Sequence, residues 1–112
     1  MKEVIVTGGR DYDDWVMLSE VLEFINPDVV IQGGATGADA LARKWAQLED
    51  KKCITFPANW EEHGKAAGPI HNREMLRNHP NAAVIAFPGG KGTAHCVKEA
   101  FYLNRIILEV HK

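Results

Sequence analysis

"IAFPGGKGTAHC", Ile85 to Cys96, passes from an apolar run through a proline and three glycines in five residues, then resumes at helical spacing. Glycine loses more backbone entropy on ordering than any other residue, so a cluster of it marks strained dihedrals or main chain held close to another group. A strand that ends in a glycine turn and leads into a helix is the junction from which parallel α/β sheets are built. The same junction recurs in "VTGGRDY", Val6 to Tyr12, and in "IQGGATGAD", Ile31 to Asp39.

Further apolar runs lie on either side: Val4–Val6, Val29–Ile31, Ile54–Phe56, Ala83–Phe87 and Ile106–Leu108. Most are continuously hydrophobic rather than alternating, as strands covered on both faces of a parallel sheet must be. Between them lie helical repeats: Trp15, Leu18, Val21, Leu22 and Ile25, closed by "NPD"; Ala38, Leu41, Ala42 and Trp45; and Ala94, Val97, Ala100 and Phe101. This alternation predicts right-handed crossovers and an α/β three-layer sandwich, its sheet mostly parallel, five-stranded and of order 3-2-1-4-5. Pro57 to Gly68, "PANWEEHGKAAG", reads as a loop, and "PIHNREMLRNH" as a helix that starts at Pro69 and shows the core a narrow stripe.

At 112 residues the chain is expected to be a single domain, 1–112, able to bury roughly two thirds of its unfolded surface. It is 46% hydrophobic and 25% charged, without a low-complexity tract or a block of like charge, the composition of an ordinary globule. The apolar runs stop far short of the roughly 20 residues of a membrane span. "MKEVIVTGG" has neither the apolar segment nor the cleavage site of a secretion signal, so a cytoplasmic location and no membrane partner are expected. A formal net charge of -2 argues against a surface built to neutralise nucleic-acid phosphates. Cys53 and Cys96 fit neither a disulfide framework nor a zinc motif; free, mostly buried thiols are expected, and no metal or cofactor.

In an open parallel sheet, ligands bind outside the carboxyl ends of strands where the strand order reverses. With the order 3-2-1-4-5, the first strand lies between the second and the fourth, and all three glycine turns converge. Main-chain amides and helix N-termini gathered there need a negative partner, such as phosphate. The candidate contacts are Gly8, Gly9 and Arg10; Gly33, Gly34, Thr36, Gly37 and Asp39; and Gly89, Gly90, Lys91, Gly92 and Thr93. No turn matches GxGxxG or the Walker spacing, and each glycine has the plainer alternative of closing its turn. Thr36 with Asp39 also reads as a capping box, and Arg10 as a surface partner of Asp13 or Asp14. Tyr12 and Trp60 have faces that would stack on a base or finish the core, while His63 and His95 are acid–base candidates or ordinary polar residues.

"PGGKGT", with "GGATGAD" and "HNREM", resembles the SLOG superfamily of Rossmann-like proteins, and within it the small stand-alone YspA-type, YpsA-related members. The likeness runs from "VTGGRDY" to "HCVKEA". It implies a Rossmann-like fold, a nucleotide or nucleotide-derived partner, and homodimers or higher homo-oligomers, for which Trp15 and Trp60 offer apolar surface. The superfamily's best-described enzymes, the Lonely Guy phosphoribohydrolases, release a base from a nucleoside 5'-monophosphate and carry PGGxGTxxE. Pro88, Gly89, Gly90, Gly92 and Thr93 follow that pattern, but Cys96 stands where those enzymes have their catalytic glutamate. Their MHxRK arginine has its counterpart in Arg73 of "IHNRE", which the resemblance assigns to a phosphate or ribose contact and, in an enzyme, to catalysis.

Glycosidic cleavage passes through an oxocarbenium-like cation that a carboxylate stabilises, and a thiol does so poorly. Glu99, one helical turn beyond Cys96, and Glu74 or Asp39 are the remaining carboxylates near that position. The expected function is therefore nucleotide binding. The alternative is a phosphoribohydrolase or N-glycosidase acting on nucleoside 5'-monophosphates through a displaced carboxylate. A third reading, single-stranded DNA binding as in the DNA-processing branch of the superfamily, requires a basic surface that the composition does not favour.

Overall fold

The computed structural model describes residues 1–58 and 60–111, with the backbone alone at Trp60 and Lys65. In chain order the elements are β1 (Glu3–Thr7), α1 (Trp15–Ile25), β2 (Val29–Gln32), α2 (Ala38–Leu48), β3 (Lys52–Thr55), α3 (Trp60–His63), a 3-10 turn (Gly64–Ala66), α4 (Ala67–Asn78), β4 (Ala83–Ala86), α5 (Lys91–Tyr102) and β5 (Ile107–Glu109). The strands form one all-parallel sheet in the order β3-β2-β1-β4-β5, as the sequence predicts. Val4 lies opposite Val30 on one side and Ala83 on the other.

Successive strand residues face opposite layers, which is why the runs had to be apolar throughout. Val4, Val6, Val30 and Ile85 pack against Leu18 and Leu22 of α1 and Ala42 and Trp45 of α2. Ile5, Val29, Ile31 and Val84 pack against Met75 and Leu76 of α4 and Cys96 and Ala100 of α5. Each large aliphatic side chain taken from water in this way is worth about 1.5–3 kcal/mol. Among the described residues no helix is long and apolar enough to cross a membrane.

The helix ends are held by identifiable groups. Asp14 caps α1 by accepting the Met17 amide at 3.0 Å, and Asn26 closes it in the left-handed region, at φ 51°. Arg105, beyond α5, donates to the carbonyls of Leu76 and His79 (2.9 Å to the latter), satisfying the C-terminal end of α4.

Four sequence readings are corrected. The segment read as a loop from Pro57 to Gly68 contains α3 and the 3-10 turn, and α4 begins at Ala67 rather than Pro69. Pro69 sits inside the first turn, where an N–H would have no intrahelical acceptor, so the ring breaks nothing. On α5 the buried positions are Cys96 and Ala100, whereas Phe101 is 71% exposed. Cys96 and Ala100 are buried as read, but Ala94 and Phe101 face outward, because small residues rather than the aromatic one lie against the sheet. The last strand starts one residue later than read, leaving Ile106 exposed.

Candidate functional site

The turns after β1, β2 and β4 meet at the carboxyl edge of the sheet around a crevice of about 990 Å³. Thr7 to Asp13 line it from the first turn, Ala35 and Asp39 from the second, and Pro88 to Thr93 with His95 from the third. Gly68, Pro69, His71, Asn72 and Met75 contribute a further wall from α4.

Most of the glycine chemistry in the turns joins one turn to another. The Gly9 amide donates to Pro88 O at 2.9 Å, and Gly9 O accepts the Ala38 amide at 3.1 Å. Thr36 Oγ1 donates to Arg10 O at 3.1 Å. Gly37, at φ +76°, is the N-cap of α2, and a Cβ there would collide with Gly9 O and lie 2.6 Å from Arg10 backbone atoms. Only a residue without a side chain permits both that dihedral and that approach.

The second turn already holds an anion, and it belongs to the protein. Asp39 Oδ2 accepts the amides of Gly33 and Ala35, both at 3.2 Å, while Gly34 donates to Oε1 of the fully buried Gln32 at 2.6 Å. The capping box read from Thr36 and Asp39 is not formed: α2 has no side-chain cap, since Thr36 has turned to the first turn and Asp39 to the second. Burial pushes the Asp39 carboxyl up to about 6, against the lowering effects of the two amides and of nearby His71 and Arg10. Gly33, Gly34, Thr36 and Gly37 thus build the wall from behind, and Asp39 and Ala35 face the space.

The third turn differs. Its helix, α5, begins after Gly90 with no side-chain cap. Among the described residues the amides of Lys91, Gly92 and Thr93 meet no acceptor, so the positive end of the helix opens on the crevice.

Helix α4 brings polar side chains to the crevice wall and to its flank. His71 Nδ1 donates to Gly68 O at 2.8 Å, which leaves Nε2 as the ring's remaining polar atom. Buried Asn72 donates to Gly92 O and to His95 Nδ1, each at 3.2 Å. His95 Nε2 then faces Glu99 Oε1 at 3.3 Å, and Glu99 also accepts from Arg73 at 3.1 Å. Arg73 and Glu99 therefore pair with each other outside the crevice lining, connected to it through His95. Asn72 was legible in part: it lies three and four residues before Met75 and Leu76, a polar group in phase with the buried stripe.

Other candidates take different places. Cys96 is wholly buried, and its thiol is pushed up to about 12, first by burial and then by the neighbouring Asp39 charge, which keeps it protonated. Tyr12 lines the crevice with its ring 5.2 Å from that of Phe87, and its buried hydroxyl has no partner among the described residues. His63 faces Glu62 at 3.9 Å, away from the crevice lining, as is exposed Glu74. The Trp60 side chain lies outside the described residues.

Comparison with known proteins agrees with this architecture. A family model described as "YspA, cpYpsA-related SLOG family" matches residues 2–63, the span from β1 to α3 that includes the first two glycine turns. The chain is also 38% identical, over an alignment of 112 residues covering 89% of each sequence, to the Gene 61 protein of Mycobacterium phage D29. Sheet order, turn chemistry and a match over more than half the chain lead to one assignment: the chain belongs to the YspA, cpYpsA-related SLOG family.

Proposed function

We propose that the crevice binds a nucleotide or nucleotide-derived ligand, with its phosphate on the N-terminus of α5. One observation carries this reading: the amides of Lys91, Gly92 and Thr93 open on the crevice and have no acceptor among the described residues. Three aligned donors and the helix dipole favour an oxyanion, and the Lys91 ammonium adds charge at the same end. Arg10, also on the lining, supplies a planar fork suited to phosphate oxygens, and the Tyr12 ring supplies a face for a base. Arg73 would join the phosphate contacts only by releasing Glu99. Isothermal titration at low ionic strength with inorganic phosphate and the common nucleoside 5'-monophosphates tests the proposal. The expected result is saturable 1:1 binding of at least one nucleotide, displaced by phosphate; absence of binding by all of them would sink it.

A second reading, N-glycosidic hydrolysis, is favoured by Asp39. Although Cys96 occupies the position of the enzymes' glutamate, Asp39 presents another carboxylate to the crevice. Chromatography of the same mixtures decides between the two. Catalytic release of free base supports hydrolysis, and stoichiometric binding without release supports binding alone.

A further inference from the structure

We propose that a second copy of the chain docks on the rim formed by α5 and β5, the two β5 strands pairing antiparallel across a two-fold axis at Leu108 so that two sheets join into one. This face shares no residue with the crevice lining, and its occupant does not depend on what the crevice binds.

The two edges of the sheet are finished differently. β3 exposes Lys52, a charged side chain of the kind that keeps an open edge from pairing. β5 ends the other side with Ile106, Ile107 and Leu108 in succession. Val84 donates to Ile106 O and Val110 to Ala86 O, both at 2.8 Å, so this segment's even-numbered residues turn their main-chain groups toward β4. Alternate residues of a parallel ladder face the same neighbour, which leaves the amides and carbonyls of Ile107 and Glu109 on the open side. Two such residues flanking Leu108 are complementary to themselves. Turned about Leu108, Ile107 of each copy meets the partner's Glu109, and each pair exchanges two main-chain hydrogen bonds.

The side chains along this rim supply the apolar surface that such pairing needs. Phe101 and Tyr102, their rings 6.2 Å apart, are 71% and 67% exposed, and Leu103, Ile106 and Leu108 are 47%, 77% and 44% exposed. At about 150–250 Å² for a whole aromatic side chain, the five present about 500 Å². The largest apolar patch on a monomer is usually about 300–600 Å². With the open main chain of β5 and the groove beside it, the rim approaches the roughly 800 Å² per partner of a stable interface.

Charge selects the occupant. The groove between α5 and β5 carries Lys98 and Glu109, one of each sign, and neither forms an ion pair among the described residues. An acidic or a basic partner would satisfy one and repel the other, whereas a second copy brings Lys98 toward the partner's Glu109 twice over. Trp15, the described member of the tryptophan pair read from the sequence as apolar surface, is partly buried and has Lys44 Nζ 4.8 Å over its ring. Because the paired strands run antiparallel, the two crevices open in opposite directions, and each stays complete within one chain.

Sedimentation velocity of the whole protein from about 1 to 100 µM tests the assignment. The expected result is a concentration-dependent dimer. Leu108→Lys sets two like charges at the axis and weakens it about a hundredfold or more. The thermal midpoint changes little, since Leu108 is partly exposed. Lys98→Glu or Glu109→Lys alone weakens the dimer about tenfold, and the two together restore it, which a merely structural effect would not do. Residues at the axis lie with Cα atoms about 4.5 Å apart, within disulfide range. Leu108→Cys therefore gives a covalent dimer on mild oxidation with diamide, while the wild type, with free Cys53 and Cys96, does not. A monomer throughout the range overturns the inference, and so does a dimer that Leu108→Lys leaves intact or that Leu108→Cys fails to link.

Discussion

Gly9 and Gly37 meet backbone to backbone: the Gly9 carbonyl fills the space that a side chain on Gly37 would need. Gly37→Ala combines this collision with a left-handed dihedral, and we expect it to destabilise the fold by about 2–4 kcal/mol in urea denaturation. Gly92→Ala is the control. A Cβ on Gly92 meets nothing within 4 Å, so the same substitution there should raise stability by about 0.5–1 kcal/mol through helix propensity.

Asp39 makes stability depend on pH in an identifiable direction. Its folded-state value, about 6, lies above the unfolded value of 3.8, so the folded chain binds this proton more tightly. Stability contributed by Asp39 is therefore greatest at low pH, falls as pH rises through that window, and is level above it. The change amounts to about 2–3 kcal/mol. Unfolding free energies of wild type and Asp39→Asn, compared at pH values across the window, should diverge in this sense; parallel curves would remove the premise.

At α5 the amide and the side chain of Lys91 are separable. Lys91→Ala removes the ammonium and keeps the N–H. Lys91→Pro removes both and is compatible with the first helical position. We expect proline to lose about a further tenfold in phosphate affinity beyond alanine, with little change in thermal midpoint. Equal affinities of the two variants would place the anion elsewhere.

Arg105 closes the carboxyl end of the helix that carries His71 and Asn72. Arg105→Ala should cost about 1–3 kcal/mol, because two carbonyls lose a charged donor. Arg105→Lys, which supplies one compact donor group instead of a planar fork, should recover only part of it.

What the sequence disclosed and what it withheld follow from the range of the interactions. Val4, Val30, Ile85 and Ile5 sit in runs whose apolar continuity is a local property, so strand number, parallel pairing and even strand order were readable. The exposure of Phe101 was not, because a stripe through Ala100 can continue over Phe101 or over Cys96, and only packing against the sheet chooses between them. At the site, the convergence of three glycine turns follows from strand order. The fate of their amides does not: Asp39 reaches back to Gly33 and Ala35, and Gln32 to Gly34, through side-chain rotamers that no spacing encodes. Asn72, His95, Glu99 and Arg73 form their chain only because α4 and α5 lie side by side. The family motif drew attention to Arg73, whereas the buried group against the crevice is its neighbour Asn72.

The main-chain bonds from Gly9 to Pro88 and from Ala38 to Gly9 mean that the crevice rim is completed during folding itself. A molecule entering it meets a first turn already bonded to the second and third, so association should cost little backbone entropy at that rim. Amide hydrogen exchange offers the corresponding signature: the Gly9 and Ala38 protons should exchange together, at rates set by opening of the central strands rather than by local fraying.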